Sequence, residues 1–448
     1  MTELLIWSNY LIAAAFTLWR ASHVDVRRLT FADGLVLGSI YYLILPMLFI
    51  LMEGRLSAQF ILSGDYFPYR DLDTTLAIIV CLYFIPLIHI VLPRPALEVL
   101  PTPEFLHFNR TLLIVVAVAY FASTVASFWT SGLWAGGHWH TNAMESLASS
   151  GLALVLRHLS GFARTAIFAI LLYQTWTGAL SRRAFLLIGL SVVACDLLLT
   201  FNRITAVYFL ISILLLNRHR RMVVAAVLVG LVFVLPAISN MWPVFRGLAT
   251  RNGYTLDGMI AAAQIAYRTA TTYPGLADFT SGVFESINIP VLNYIVKNHG
   301  DALNVVPGSI YLRPATIFLP KLIWSERPEG YATILGALIN ADRNGLALNS
   351  TLIGEPYGNF GAWWPLGIFP MYLVYHLLFL RLARTSPAFG AIGAFCAFAM
   401  WRFDSTVTAV ALVLCMMLLF VVQSWISMRR SGEALGAGMR VGKSPLRP

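Results

Sequence analysis

The sequence predicts an all-α, polytopic integral membrane protein with about eleven transmembrane helices. Of its 448 residues, 58% are hydrophobic and only 12% are charged, whereas about a quarter of the residues in a soluble domain are charged. The mean hydropathy is +0.73. Apolar stretches of about 20 residues, long enough to cross a bilayer, recur along the chain. This composition excludes a soluble enzyme, and nucleic acid is not expected as a partner.

Each span is predicted to end at charged residues or at clusters of Pro, Gly and Asn. The predicted spans are 4–19, 34–52, 74–93, 111–128, 158–177, 184–201, 204–217, 222–241, 364–380, 387–401 and 405–426. The seventh and tenth spans are short, so we expect them to be tilted or broken. The chain thus divides into eight spans in 1–241, a large loop in 242–363, three spans in 364–426 and a basic tail in 427–448.

Positive charge fixes the predicted orientation, because cytoplasmic loops retain Lys and Arg. When eleven spans alternate, the basic loops fall on one side of the membrane. These loops contain Arg20, Arg27, Arg28, Arg94, Arg110, Arg182, Arg183, Arg218, Arg220, Arg221, Arg381 and Arg384. We therefore expect a cytoplasmic carboxyl terminus and an amino terminus outside. The formal net charge of +10 then reflects topology.

The loop 242–363 is far longer than an ordinary connection and is therefore expected to be functional. Within it, 255–273 has the apolar periodicity of a helix, and 286–297 is expected to form a second helix interrupted by proline. We expect these short helices to lie on the outer membrane surface.

Arginine is strongly preferred over lysine, with 28 Arg and 3 Lys residues. GC-rich codon usage is one explanation. A second explanation is an anionic ligand at the outer side, because a guanidinium group binds phosphate through two parallel hydrogen bonds.

Charged residues also occur inside predicted spans, where a charge is energetically unfavourable unless it is paired or hydrated. Asp196 precedes Arg203 by seven residues, which would place both on one helix face. This pattern predicts either an anion-binding cavity or a structural ion pair. Arg157 and Arg164 show the same spacing and could line that cavity or extend towards the interface. Arg402, near Asp404, has the same two interpretations.

The end of the large loop carries a family resemblance. Its sequence, from Glu355 through Tyr357 to Asn359-Phe360-Gly361, comes just before a late span. A Glu, an aromatic residue and Asn-Phe-Gly in this position resemble the Wzy-type O-antigen and exopolysaccharide repeat-unit polymerases. The Asn202-Arg203 pair resembles an Arg-bearing element of these proteins and of O-antigen ligases. Arg343 followed by Gly354 is similar to their Arg-x10-Gly pattern.

The resemblance covers nearly the whole chain and implies a GT-C-like fold in the bacterial inner membrane, with the large loop in the periplasm. The implied activity is an inverting, metal-independent transfer of glycan from undecaprenyl pyrophosphate to another lipid-linked repeat unit. No cofactor is implied, and the partners are the lipid-linked oligosaccharide, the bilayer and, in some members, a chain-length regulator.

The implied chemistry assigns roles to individual residues. Glu355 is expected to be the general base, with a helix-start carboxylate as the alternative. Arg203 is expected to stabilise the pyrophosphate. Tyr357 and Asn359 are expected to contact sugar, although Asn359 equally suits a turn. The remaining predicted substrate-binding residues are Arg343, Arg313, Arg246, Arg251, Arg327, Arg157, Arg164 and Arg402.

Three alternatives remain open. An O-antigen ligase would share the donor but use a different acceptor. A glycosyltransferase using polyprenyl-phosphate sugars would place catalytic acids in the first outer loop, where Glu53, Asp65, Asp71 and Asp73 lie. A flippase or transporter would move lipid-linked glycans without chemistry and would be expected to contain internal repeats.

Overall fold

The computed structural model describes residues 2–58, 64–94, 103–130, 151–200, 202–251, 255–269, 275–300, 303, 308–313, 330–339, 348–403 and 405–441. Within these ranges the regular structure is helical, apart from two isolated β-bridges. The predicted all-α class is therefore confirmed for the part of the chain that the structure describes.

Fifteen helices are used here to describe the fold. They are α1 (Thr2–Ser22), α2 (Phe31–Glu53), α3 (Leu72–Val91), α4 (Pro103–Thr130), α5 (Gly151–Trp176), α6 (Arg182–Thr200), α7 (Ile204–Leu216), α8 (Arg221–Leu248), α9 (Leu256–Thr269), α10 (Leu276–Phe284), α11 (Asn288–Asn298), α12 (Tyr331–Ile339), α13 (Thr351–Ala383), α14 (Pro387–Met400) and α15 (Ser405–Val441).

In the described residues, nine helices are long and apolar enough to cross a membrane: α1 to α6, α8, α13 and α15. The chain is therefore a membrane protein. The two short predicted spans correspond to α7 and α14, which are apolar but shorter. All eleven predicted stretches are helical, whereas the count of eleven membrane crossings stays a prediction.

Helix α14 lies at the centre of the bundle, and every residue from Ala388 to Met400 is buried. It begins at Ser386, whose hydroxyl accepts a hydrogen bond from the Ala388 N–H, followed by Pro387 in the first turn. Small residues let neighbouring backbones approach closely. Gly34 of α2 lies directly against the Ala394 carbonyl, so α2 and α14 pack almost backbone to backbone.

A buried polar network joins α1, α2 and α3 near one end of the bundle. His89 lies 2.6 Å from Asp33 through Nε2 and accepts a hydrogen bond of 3.1 Å from Arg20 at Nδ1. The second Asp33 oxygen accepts hydrogen bonds from Thr30, which caps α2. Buried polar groups of this kind require partners. This network lies at the end of the bundle away from the candidate site described below. We call this end of the bundle the opposite end.

Two helices of the large loop pack into the protein. The predicted helices are present as α9 and α11, and α11 contains Pro290 without interruption. Helix α10 contributes the buried residues Val283 and Phe284, and Val283 O accepts a hydrogen bond of 2.7 Å from Tyr41 of α2. Helix α9 keeps exposed apolar residues, such as Leu256 and Tyr267. Helices α10 and α11 are therefore largely buried in the protein, and the location of the loop relative to the membrane surface stays a prediction.

We predict that Gly34→Ala destabilises the protein by about 2 kcal/mol, because its methyl group would meet the rigid Ala394 carbonyl. Gly161→Ala in α5 is the matched control, since nothing lies near its position and alanine favours a helix. Thermal unfolding in detergent measures both. Equal unfolding temperatures for the two variants would contradict the close packing of α2 and α14.

Candidate functional site

The helix is broken between α6 and α7, at the predicted boundary between the spans 184–201 and 204–217, and Asp196 and Arg203 do not share one helix face. Helix α6 ends at Thr200 after a π-helical turn from Asp196, and α7 begins at Ile204. Asn202 lies in the break, and its Oδ1 accepts hydrogen bonds from Ile204 N–H (3.1 Å) and from Arg402 Nη1 (2.9 Å). The break therefore fixes the start of α7 to the end of α14.

Arg203 follows Asn202 and turns towards α8. Its Nη1 donates to Ser239, both to the hydroxyl and to the carbonyl oxygen at 3.2 Å. Burial lowers the pKa of Arg203 and the nearby Arg402 lowers it further, while Glu285 partly offsets both. A positive charge destabilised in this way favours an anion beside it.

Arg402, between α14 and α15, forms the ion pair that joins the large loop to the bundle. Its Nε lies 2.8 Å from Glu285 Oε1. Burial lowers the pKa of Arg402, but Glu285 and the buried tyrosines Tyr41, Tyr42 and Tyr208 raise it, and the net pKa lies above its ordinary value. Arg402 is therefore a permanent cation.

The structure brings together three of the predicted arginines. Arg246 of α8 lies within electrostatic range of both Arg203 and Arg402, and all three side chains are partly exposed. We call Arg203, Arg246 and Arg402 the arginine cluster. Its members come from three separate parts of the sequence, and the described residues place the carboxylate of Glu285 next to two of them.

A pocket beside the arginine cluster contains Glu355. Its cavity volume is about 20 Å³, room for about one water molecule, and Arg402 forms part of its wall. Its polar lining includes Tyr331, Asn349, Ser350 and Thr351, and its apolar lining includes Ile368, Met371, Met400 and Phe403. A few polar groups on an apolar wall are typical of a small-ligand site.

Glu355 lies in the first turns of α13, not in the turn that its Gly- and Pro-rich surroundings suggested. Both carboxylate oxygens accept hydrogen bonds from Ser405: Oε1 from the hydroxyl at 2.6 Å and Oε2 from the backbone N–H at 2.8 Å. Glu355 therefore lies at the start of α15, where a carboxylate suits the helix dipole. This geometry is compatible with both predicted roles of Glu355.

Tyr331 is a site residue that the sequence analysis did not identify. The residue lines the pocket, and its buried hydroxyl has no hydrogen-bond partner among the described residues. Burial raises the pKa of Tyr331 well above its usual value, and the Glu355 carboxylate raises it further. The hydroxyl is therefore neutral and can donate a hydrogen bond inside the pocket.

Backbone strain is also found at the site. Thr351, in the pocket wall, and Glu285, next to Arg402, have positive φ angles of 59° and 51°. Among the described residues they are the two non-glycine residues in this conformation. Strain of this kind is retained where the surrounding structure imposes it, commonly at binding sites.

Tyr357 and Asn359 lie on the same helix as Glu355 but outside the pocket lining. Asn359 is buried: its amide donates to Glu355 O at 2.7 Å, and its Oδ1 accepts from Gly308 N–H at 3.1 Å. This arrangement fits the turn-supporting alternative for Asn359. Tyr357 is half-buried and packs against His299.

The predicted Asp196–Arg203 ion pair is not formed, because the break after Thr200 turns Arg203 away. Asp196 pairs instead with Arg164 of α5, whose Nη1 lies 3.0 Å from Oδ2. The carboxylate also accepts hydrogen bonds from Tyr120, Thr200 and Thr205. Asp196 thus holds together the two sides of the break.

Arg157 and Arg313 lie beyond this ion pair. Arg157 lies on an exposed side of α5, close enough to Arg164 for their positive charges to repel each other. Arg313 lies within electrostatic range of His158, and its guanidinium group packs against Gly330. Arg327 and Arg343 lie outside the described residues, as does Asp404, and for Arg251 only the helical backbone is described.

The acids at and between the ends of α2 and α3 form structural contacts. Glu53 accepts a hydrogen bond of 2.8 Å from Ala277 N–H at the start of α10. Asp65 pairs with Arg55 at 3.5 Å, and the buried Asp71 pairs with Lys297 of α11. Among the described residues, no three His, Cys, Asp or Glu side chains lie close enough together to hold a metal ion.

Comparison of the chain with protein-family models, with curated proteins and with solved structures gave no match.

We predict that Asp196→Leu destabilises the protein by about 3 to 5 kcal/mol, because it leaves the buried Arg164 charge without its carboxylate. The double variant Asp196→Leu with Arg164→Leu is expected to recover much of this loss, since no buried charge then remains unpaired. Thermal unfolding of the single and double variants tests this. A double variant no more stable than the single variant would contradict the ion-pair assignment.

Proposed function

We propose that the protein polymerises lipid-linked oligosaccharide repeat units by glycosyl transfer from undecaprenyl pyrophosphate. The observation that supports this most directly is the convergence of Arg203, Arg246 and Arg402 beside a pocket that contains Glu355. Cations inside a helical bundle need compensating anions. A diphosphate provides them, and an adjoining polar pocket suits the hydroxyl groups of a sugar.

The proposed reaction is a single displacement at the anomeric carbon of the donor sugar. A hydroxyl group of the acceptor repeat unit forms the new glycosidic bond while the bond between that carbon and the diphosphate oxygen breaks. The electron pair of the broken bond stays on the diphosphate, where the arginine cluster stabilises the developing charge. Glu355 takes the proton of the acceptor hydroxyl.

The contacts of Glu355 support this role in one respect. Its two oxygens bind the hydroxyl and the backbone N–H of one residue, Ser405. An acceptor hydroxyl could replace the Ser405 hydroxyl without disturbing the backbone hydrogen bond. Tyr331, across the same pocket, can donate to a sugar oxygen.

Within this proposal the fold is GT-C-like, the membrane is the bacterial inner membrane and the arginine cluster faces the periplasm. The basic loops support that orientation, because Arg20 and Arg94 lie beside His89 at the opposite end. The carboxyl terminus would then be cytoplasmic. A chain-length regulator remains a proposed partner.

The other candidates are less well supported. A polyprenyl-phosphate-sugar transferase would need catalytic acids in the first outer loop. There Glu53 caps a helix, and Asp65 and Asp71 form ion pairs, so these carboxylates already have structural partners. A transporter would be expected to contain paired broken helices; the described helices show one break of this kind, between α6 and α7. An O-antigen ligase would use the same donor site, so its acceptor must be tested directly.

We predict that Arg203→Lys and Arg402→Lys each reduce polymerisation by about 100-fold, because lysine cannot replace the guanidinium fork that grips a diphosphate. Purified protein mixed with a lipid-linked repeat unit gives a product ladder that measures this. Arg55→Lys is the matched control, since Arg55 is a surface arginine paired only with Asp65 among the described residues. Full ladders from the Arg203 and Arg402 variants would refute the proposal.

We predict that Glu355→Gln abolishes the ladder but keeps the protein folded, because the amide oxygen can still accept from Ser405 N–H. Ser405→Ala removes the hydroxyl contact and keeps the carboxylate, so activity is expected to persist. If the two variants lose activity equally, Glu355 acts as a helix cap rather than as the base. Adding lipid A core as the acceptor in the same assay tests for a ligase.

A further inference from the structure

Glu285 is brought to the arginine cluster by a strained backbone. It follows α10 directly and has a φ of 51°, a left-handed conformation that is unfavourable for a residue other than glycine. The neighbouring residues impose it: Phe284 is fully buried, and Val283 O is bound by Tyr41. The loop thus places one carboxylate 2.8 Å from Arg402.

The contact can be reached from outside. The side chains of Arg402 and Glu285 are 18% and 15% exposed, and Arg402 also forms part of the pocket wall. A diphosphate that approaches Arg203 and Arg246 therefore meets Arg402 already paired. Because the carboxylate and the phosphate are both anions, they compete for the same guanidinium group.

We propose that Glu285 is a displaceable counter-ion that promotes release of the leaving diphosphate. This inference rests on the proposed function, because it concerns the same anion site. A diphosphate gains negative charge when its bond to the sugar breaks, so the product is held more tightly than the donor. Return of Glu285 to Arg402 opposes that extra attraction and frees the site.

The proposal also predicts that the end of α10 loosens when the diphosphate binds. Glu285 ends this helix, and Asn240 of α8 contacts it through a hydrogen bond of 2.9 Å to Phe279 O. When the diphosphate takes the place of Glu285, the end of α10 loses its tie to Arg402. Diphosphate binding is therefore coupled to loosening of the loop beside the pocket.

The test is the affinity of the purified protein for inorganic pyrophosphate and for farnesyl diphosphate. Glu285→Gln removes the competing charge and is expected to tighten binding of both by about tenfold. Glu285→Asn does the same and tolerates a positive φ, so it serves if the Gln variant does not fold. Asp278→Asn is the matched control: it removes a carboxylate from the same helix that bonds to Ser57 N–H instead.

A second readout separates displacement from simple repulsion. Amide hydrogen exchange in α10 is expected to speed up when pyrophosphate is added to the natural protein, and to be fast from the start in Glu285→Gln. Unchanged or weaker diphosphate binding by both folded Glu285 variants would overturn this inference and leave the proposed function intact. Failure of the natural protein to bind either diphosphate would overturn both.

Discussion

The site depends on how an apolar helical bundle stabilises the positive charge of Arg402 in a region with little access to water. Arg402 solves this problem with two partners from distant parts of the chain, Asn202 in the helix break and Glu285 at the end of α10. Asn202 accepts a hydrogen bond from the guanidinium group, and the Glu285 carboxylate balances its charge in a low-dielectric region. Together they make Arg402 the point where the bundle and the large loop meet. The positions of Arg203 and of the Glu355 pocket follow from the same contacts.

Two ion pairs have different roles in the bundle. Asp196 and Arg164 are enclosed and neutralise each other, with hydroxyl groups satisfying the remaining carboxylate lone pairs. Such a pair stabilises the structure, and few of its charges or hydrogen-bonding groups remain available to bind a ligand. Glu285 and Arg402 are partly exposed and lie next to further arginines. An arginine–carboxylate pair therefore stabilises the fold in the first case, whereas in the second case an anionic ligand can compete with the carboxylate for the arginine.

Most of the helices could be predicted from the sequence because apolar length is a local property, and all eleven predicted stretches are helical. The site was only partly predictable. Arg203 and Arg402 were singled out because a charge within or beside an apolar stretch is conspicuous, and Glu355 because of the family resemblance of its segment. The Asp196–Arg203 ion pair, one of the two alternatives left open, is not formed, since the break before Arg203 depends on tertiary contacts of Asn202. Glu285 and Tyr331 have no local signal, because each acquires its neighbours only when the loop folds onto the bundle.

The two short helices shape the surface on which this chemistry would take place. At about 1.5 Å per residue, α7 and α14, with 13 and 14 residues, each extend roughly 20 Å, well short of the hydrocarbon thickness of about 30 Å. Arg203 begins one of them, and Arg402 follows the other. Arg203 and Arg402 therefore sit where two helices too short to cross the hydrocarbon layer alone meet each other. Under the proposed function, a prenyl-linked substrate would bring its diphosphate to this junction while its tail stayed among the acyl chains.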